Sequence, residues 1–491
     1  MFENTLLFRM SSSIIFFFFS YTVMSSSIIN TGIWSGCFFF RNNKPKPNPN
    51  KSLPRFSRNA KYSSSYMNTM VLSSSSHSST ILEQPLKFAV LGAGFAGLSV
   101  VWNLLQHTSK DSRVCIDIYD EIGIGGGASG ISGGLLHPYS PKAKLLWKGS
   151  ECWKESLDLL NIAERANASK DPSIETQNLV WRRGILRPVT NTKNVDILKE
   201  NSQNFLESCR LLSIDKYGAQ KLVPDICVPL DSAIYMPQAV NVHPPRYLQA
   251  LFTACKNLVN DMATLGYDTK EINLLQKSVH SLLELSGEYD AVIVCLGAKA
   301  DMVQELSGRI PLRTCRGVVT HLELPHDVMG KEYGDRSPSI LSDAWLAIQG
   351  PRNLVLGSTW DWNSRNYSPH VSASETLNAL EELIPKASAV YSSVVNWEFT
   401  GARAGVRSMP PLTPYGSIPL LGCVDDIIFH DGGNNLNHKH SSKTKYWLFG
   451  GLGARGLLYH GWLGKLMAQA VLSCDESLLP SELTSWRKTR H

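Results

Sequence analysis

An apolar run at 88–91 leads directly into three glycines with the spacing GxGxxG, and this unit constrains the fold more than any other. The glycines are Gly92, Gly94 and Gly97, and a second apolar run ends at Asp120. Gly92 permits a tight turn, Gly94 lets a diphosphate approach the backbone, and Gly97 lets the following helix pack on the strand. Free N–H groups at the helix start suit phosphate, and Asp120 suits ribose hydroxyls. The segment predicts a dinucleotide-binding strand–turn–helix–strand unit, with a glycine-rich packing turn as the alternative.

A second glycine-rich segment follows at 125–134, with six glycines, two serines and one alanine. This composition favours a loop pressed against a large flat ligand. Here the chain resembles the D-amino-acid oxidase, glycine oxidase and sarcosine oxidase (DAO) family of flavoproteins. In that family a GASG…GG loop runs beside the pyrophosphate and isoalloxazine of FAD. The resemblance implies that FAD contacts Gly127, Ala128, Ser129, Gly130, Gly133 and Gly134.

The resemblance covers about Leu86 to Leu472 and implies further FAD contacts. Gly297, after the apolar run AVIVCL, matches a glycine beside the cofactor, although a plain strand-to-loop glycine is the alternative. Near the C-terminus, FGGLGARG precedes an apolar helix whose N-terminus would stabilise the negative charge of reduced flavin. The further residues assigned to FAD binding are Phe95, Ala96, Gly297, Gly453, Ala454, Arg455 and Gly456.

The order of these motifs predicts an α/β fold. A Rossmann-like FAD-binding domain is interleaved with an α+β substrate domain built on a mixed or antiparallel sheet. Pro244 and Pro245 stand where a helix would begin, and 311–362 is rich in strand-forming runs. The predicted segments are FAD-binding at 86–170, 241–304 and 397–475, substrate-binding at 171–240 and 305–396, a leader at 1–82 and a tail at 476–491.

The family resemblance implies oxidation of a C–N bond. An amino-acid-like substrate carries a carboxylate, whose natural partner is a planar guanidinium. Arg407, in GARAGVRSMPPLTPYGSIPLLG, matches the family's carboxylate-binding arginine, with a structural salt bridge as the alternative. Arg403 is the second candidate, because residues four apart on a strand face the same side. Some sarcosine oxidases attach their flavin to a cysteine; 341–362 contains none, so noncovalent FAD is predicted.

Within the family, the closest similarity is to the FAD-dependent C-terminal domain of the bacterial bifunctional tRNA 5-methylaminomethyl-2-thiouridine biosynthesis enzyme. It rests on GARAGVR, GSTWDW, VHPPRYLQAL and GLGARGLLYHGWLGKL. That domain removes a carboxymethyl group from a modified wobble uridine. The chain departs from it by carrying no methyltransferase domain and by an insertion at 430–445, which we interpret as an ordinary loop rather than an RNA contact.

Three functional hypotheses follow from this similarity. The first is a flavin amine oxidase for a glycine-like secondary amine, either a free small molecule or part of a modified tRNA. The second is an oxidase of free small amino acids only. The third is a noncatalytic FAD-binding assembly factor.

The first 82 residues have the composition of an organellar transit peptide. No Asp or Glu occurs between Asn4 and Leu82, and serine is abundant. The serine bias favours the chloroplast, with the mitochondrion as the alternative; the short apolar run Ile14–Phe19 is the rival, secretory feature. This segment also cannot bury enough apolar surface to fold alone.

Charge and cysteine usage exclude several classes of protein. The chain has 48 Lys/Arg and 42 Asp/Glu, of which eight Lys/Arg and one Glu lie in residues 1–82. The rest of the chain therefore has 40 basic and 41 acidic residues. The near-neutral remainder gives no global charge signal for nucleic acid, and no DNA partner is predicted. The ten cysteines form no CxxC pair or Cys/His metal spacing, so neither a disulfide framework nor a metal is predicted. No apolar run after the leader is long enough to span a membrane.

Overall fold

The computed structural model describes residues 84–168, 178–192, 200–201, 205–267, 269–326, 332–429 and 444–487. The predicted leader and most of the 430–445 insertion lie outside these residues. The strands are β1 Leu86–Leu91, β2 Val114–Tyr119, β3 Leu135–Leu136, β4 Val180–Trp181, β5 Ile185–Pro188, β6 Leu212–Ile214, β7 Ala233–Met236, β8 Val240–Val242, β9 Lys270–Leu275, β10 Ala291–Val294, β11 Arg313–Glu323, β12 Ser339–Ile340, β13 Trp345–Ile348, β14 Asn353–Gly357, β15 Glu398–Met409, β16 Leu420–Cys423 and β17 Lys445–Gly450. The α-helices are α1 Phe95–His107, α2 Ala128–Ile131, α3 Gly149–Ala168, α4 Lys216–Leu222, α5 Pro244–Thr264, α6 Ala373–Ser388, α7 Asp425–Phe429, α8 Gly456–Ser473 and α9 Ser481–Thr484.

Six strands form a mainly parallel sheet in the order β16-β17-β10-β1-β2-β9. Only the edge strand β16 runs antiparallel to its neighbour. The central strands are buried and apolar, as expected for a parallel sheet covered on both faces. Helices α1, α3, α5 and α8 contribute to the core on one face. Because the carboxyl ends of parallel strands share an edge, this sheet brings the first glycine turn, Asp120 and Gly297 together.

Eight strands form the second sheet, in the order β15-β11-β14-β13-β12-β5-β7-β6. Every neighbouring pair is antiparallel except β12 and β5. The predicted combination of a Rossmann-like sheet with a mixed, mainly antiparallel sheet is therefore confirmed. The sequence places the start of the last FAD-binding segment at residue 397. Strand β15, which follows that boundary, pairs with β11 and so belongs to this second sheet.

Short contacts join the two sheets at the place where the glycine loops lie. Helix α2 packs against β15, where a Cβ atom on Gly405 would stand 3.0 Å from the Cα of Ala128. A three-stranded antiparallel sheet, β3-β8-β4, holds the chain just after the second glycine loop. Helix α5 begins at Pro244, as the proline pair predicted. None of the helices in the described ranges is long and apolar enough to cross a bilayer.

Candidate active site

The first glycine turn has the geometry of a phosphate cradle. Gly92 has φ +106°, a conformation that glycine adopts without strain. A Cβ atom on Gly97 would collide with the carbonyl oxygen of Gly92, so only glycine lets α1 pack this closely. Gly94 stands at the N-cap of α1 with no side-chain cap. Apart from the N–H of Phe95, which the Ser129 hydroxyl accepts, the N–H groups of the first turn have no side-chain partner among the described residues, as in an anion-binding helix.

Asp120 ties this turn to the end of β2. One carboxylate oxygen accepts the N–H of Ala93 at 2.8 Å, and the other accepts the N–H groups of Ile122 at 3.1 Å and Gly123 at 2.9 Å. A carboxylate has about four acceptor positions, so one position is left for a ligand hydroxyl. The residue predicted to bind ribose thus also fixes the backbone of the cradle.

We expect Asp120→Ala to weaken FAD retention by about 1.5–3 kcal/mol, because charged hydrogen bonds to the ribose and to the turn are both lost. Equilibrium dialysis of the purified variant, with flavin fluorescence as the readout, measures this shift. Asp120→Asn keeps one acceptor oxygen, so its affinity for FAD should lie between those of Asp120→Ala and the wild type. An unchanged dissociation constant for Asp120→Ala would remove Asp120 from the cofactor site.

The second glycine loop closes over the first. The Ser129 hydroxyl accepts the N–H of Phe95 at 3.1 Å, which joins α2 to the start of α1. Gly134 has φ +75°, and a Cβ atom there would collide with the carbonyl oxygen of Val242. A Cβ atom on Gly133 would enter the ring of Trp345, on the second sheet. The loop therefore lies between the two sheets with no space for larger side chains.

A single cavity of about 680 Å³ contains most of the residues predicted to bind cofactor or substrate. Gly97 lies behind the lining, because it packs against Gly92. Arg403 is exposed and is not among the lining residues, so its choice as second substrate candidate is wrong for this cavity. The predicted residues that do line it are Gly92, Gly94, Phe95, Ala96, Asp120, Gly127, Ala128, Ser129, Gly133, Gly134, Gly297, Arg407, Gly453, Ala454, Arg455 and Gly456.

Arg407 reaches this cavity from β15. It lies over Gly317 of β11, where a Cβ atom would collide with the guanidinium, and its Cζ is 4.4 Å from the centre of the Trp360 ring. The guanidinium donates to the Ser358 hydroxyl and, at 3.4 Å, to the carbonyl of Thr359. Burial lowers its pKa. Within the described residues no Asp or Glu forms an ion pair with it, so the predicted alternative, a structural salt bridge, is not observed there.

A second arginine, Arg455, also lines this cavity. Arg455 precedes α8, and its guanidinium is 3.3 Å from Nε2 of His137, which is 3% exposed. Burial, with the nearby Arg455 and Arg187 charges, holds the pKa of His137 well below its usual range. His137 is therefore neutral at physiological pH. The described residues contain no group of three His, Cys, Asp or Glu side chains that could hold a metal ion.

The sequence matches one family model, FAD dependent oxidoreductase (DAO), over residues 87–470. This match covers both glycine loops, the Arg407 strand and helix α8. The chain belongs to the FAD-dependent oxidoreductase (DAO) family. Its cofactor is FAD, and the predicted enzyme class of FAD-dependent oxidoreductase is confirmed.

Solved structures of low identity share the fold of this DAO-family protein. Iminodiacetate oxidase from Chelativorans sp. BNC1 matches with a TM-score of 0.58 and 18% identity over 80% of this chain and 97% of that one. Glycine oxidase from Geobacillus kaustophilus matches with a TM-score of 0.58 and 16% identity over 83% of this chain and 99% of that one. L-Proline dehydrogenase from P. horikoshii matches with a TM-score of 0.60 and 14% identity over 83% of this chain and 98% of that one. No curated protein matches the chain.

The cavity of this DAO-family chain fits FAD. The uncapped start of α1 and the glycine-only approach at Gly94 suit the diphosphate. Asp120 suits the ribose, and the second glycine loop, with Trp345 packed directly against Gly133, lines the same cavity. Cys295 is the cysteine among the described lining residues, and burial raises the pKa of its thiol. A protonated thiol is a poor nucleophile, which favours noncovalent FAD.

We therefore expect the purified protein to be yellow and to release intact FAD on acid precipitation. The supernatant is analysed by chromatography against FAD and FMN standards. Flavin that remains in the precipitate after washing would contradict noncovalent binding, and Cys295→Ser would then show whether this thiol is the attachment point.

Several cavity residues had no clear signal in the sequence. Trp345 approaches Gly133 only because β13 and the second glycine loop meet in three dimensions. His137 follows that loop closely, but a lone histidine carries no motif. Trp360 lies in GSTWDW, a run that supported the family resemblance without suggesting that its ring covers Arg407.

Proposed function

We propose that this protein uses FAD to oxidise a C–N bond of an amine that carries a carboxylate, and that its substrate is a glycine-like secondary amine. The observation that carries the proposal is the position of Arg407. A half-buried guanidinium that forms no ion pair with a described carboxylate opens into the cavity that holds the cofactor cradle. Burying such a charge is costly unless a ligand completes its pairing.

The residues around this guanidinium prepare it for a bidentate partner. Thr359 and Ser358 hold it from one side, and the Trp360 ring covers its face. A fixed planar fork binds a carboxylate with little further ordering, which places the carbon next to that carboxylate in a defined position. Bound FAD supplies the chemistry by accepting a hydride from that carbon.

The charges of the cavity favour the reactive form of the amine. Arg407 and Arg455 are cationic, and His137 is neutral. Nearby positive charge disfavours an ammonium ion and so lowers the pKa of a bound amine. A neutral amine has the lone pair that stabilises the carbon as hydride leaves. Trp345 and Trp360 line the same cavity and limit the access of water.

The names of the structural neighbours support this substrate class. Iminodiacetate and L-proline are both secondary amines with a carboxylate, and glycine is the smallest primary amine with one. A finer form of the proposal is the carboxymethylaminomethyl group of a tRNA wobble uridine, which is a glycine unit on a nucleobase. The two alternatives are an oxidase of free small amino acids and a noncatalytic FAD-binding assembly factor.

Anaerobic titration of the oxidised protein tests the proposal. Sarcosine, glycine and a larger N-substituted glycine are each compared with the methyl ester of the same amine, and loss of flavin absorbance is recorded. We expect bleaching with a carboxylate-bearing amine and much less with its ester. Bleaching by glycine or sarcosine alone would favour the free-amino-acid alternative. Flavin that no amine bleaches would favour the assembly factor.

We also propose that residues 1–82 direct the protein to the chloroplast, on the basis of their serine-rich composition with a single acidic residue, Glu3. A fusion of these residues to a fluorescent reporter should enter plastids. A fusion with glutamates replacing several of the serines is the control and should stay outside. Import into mitochondria alone, or secretion, would contradict the proposal.

A further inference from the structure

A row of two aromatic rings between two cations leads from the cavity to the protein surface. The Arg407 guanidinium lies over the Trp360 ring at 4.4 Å, and Trp360 is stacked with Trp362 at 6.0 Å and 27° between planes. Arg313 lies over the Trp362 ring at 4.8 Å. Trp360 lines the cavity and Trp362 does not. The row therefore begins at Arg407, the proposed carboxylate anchor, and ends at Trp362 and Arg313, outside the cavity.

These two rings are unusually accessible. Trp360 is 44% exposed and Trp362 is 38% exposed, and they are the exposed tryptophans of the described residues. Stability alone does not favour large aromatic surface in water. Two such rings, adjacent and parallel at the mouth of a ligand cavity, indicate a surface that a flat group covers.

Positive charge surrounds the outer ring. Arg313 and Arg365 are exposed, and neither forms an ion pair with a described residue. Arg365 donates to the Thr314 hydroxyl at 3.1 Å, which holds it beside Arg313. The nearby acid, Asp361, uses one carboxylate oxygen to accept two backbone N–H groups of its own turn. The surface thus combines stacking faces with unpaired guanidiniums.

We propose that the Trp362–Arg313 surface binds an unstacked base and its backbone phosphate in a single-stranded loop of RNA. This inference rests on the proposed function, because it supplies the larger molecule whose amine enters the cavity. A base stacks on Trp362 in the place that the exposed Arg313 side chain now occupies. Arg313 and Arg365 then contact phosphate. Aromatic stacking with arginine contacts is the usual way in which proteins bind splayed bases.

The same features argue against an acidic protein partner. A peptide carboxylate would need the guanidiniums but not two parallel indole planes. A nucleobase needs both, because its face stacks on the ring while its phosphate pairs with arginine.

The test measures binding without turnover. The FAD-loaded protein is titrated into a fluorescein-labelled RNA stem-loop, into a DNA stem-loop of the same sequence, and into a polyglutamate peptide, with anisotropy as the readout. Trp362→Ala should weaken RNA binding by roughly tenfold or more. Trp362→Phe should keep most of it. Arg313→Gln should weaken binding and reduce its dependence on salt. Tyr217→Ala is the matched control, because Tyr217 is 67% exposed with Lys221 4.3 Å above its ring.

The outcomes separate this inference from the proposed function. Reduction of the flavin by a free N-substituted glycine is measured on the same variants and should be unchanged by Trp362→Ala. If the wild type binds no RNA, or if Trp362→Ala binds it as tightly as the wild type, the inference is overturned while the amine chemistry stands. Equal affinity for polyglutamate would overturn it in favour of a protein partner, and tighter binding of the DNA loop would overturn the assignment to RNA. Loss of bleaching by all amines with RNA binding intact would instead sink the proposed function.

Discussion

Arg407→Leu is expected to raise the dissociation constant of the amine substrate steeply and to leave the FAD content unchanged. Leucine removes the bidentate partner of the substrate carboxylate, and loss of a buried charge pair of this kind costs about 2–5 kcal/mol of binding. The side chain touches Ser358, Thr359 and Trp360 rather than the glycine loops, so the cofactor cradle stays intact. Anaerobic flavin reduction over a range of amine concentrations gives the constant.

Arg403→Leu is the matched control on the same strand. Arg403 is exposed and does not line the cavity, so substrate affinity should stay near that of the wild type. Arg407→Lys is a second variant, which keeps the charge and loses the planar fork, and it should bind substrate with intermediate affinity. If Arg407→Leu binds substrate normally, Arg455 becomes the leading candidate for the anchor. Joint loss of stability and flavin would instead mark Arg407 as a structural residue.

Gly97→Val is expected to lower the free energy of unfolding by about 3 kcal/mol or more and to abolish FAD retention. The new Cβ atom meets the carbonyl oxygen of Gly92, and backbone cannot move aside as a flexible side chain can. Helix α1 must therefore shift away from β1, which displaces the N–H groups that face the diphosphate. Thermal unfolding and the flavin-to-protein absorbance ratio measure the two effects.

Gly401→Ala is the comparison for this variant. Gly401 lies on β15 at a place where a Cβ atom meets nothing within 4 Å, and its φ is not positive. We expect near-normal stability and full FAD content. A Gly97→Val protein that keeps its flavin would show that the helix can move without opening the cradle, and the packing argument would then be wrong.

Local spacing was sufficient to predict the cradle, because its requirements lie within a few residues of one another. Gly92, Gly94 and Gly97 each avoid a steric conflict within a single turn, the one that joins strand β1 to helix α1. The fold class followed in the same way from the order of the motifs. The predicted start of α5 at Pro244 was equally local.

Contacts between distant segments could not be read from the sequence. Asp120 accepts the N–H of Ala93, which requires that β1 and β2 lie side by side. Trp345 meets Gly133 only across the two sheets. For Arg403 the alternation argument was too simple, because four residues of strand span about 13 Å. Arg403 is exposed and does not line the cavity, although its neighbour Ala404 does.

The pairing of β1, β10 and β17 also determines when the protein can acquire its cofactor during synthesis. Phe88 pairs with Ala291, which in turn pairs with Lys445, so the central sheet is assembled from three widely separated parts of the chain. Such non-local pairing folds slowly. A nascent chain that has not yet emerged from the ribosome as far as β17 has neither this sheet nor the α8 side of the cavity. A cavity with both of its sides therefore forms only after β17 and α8 have been synthesised, and until then the open edge of β10 is a site where an unfinished chain can aggregate.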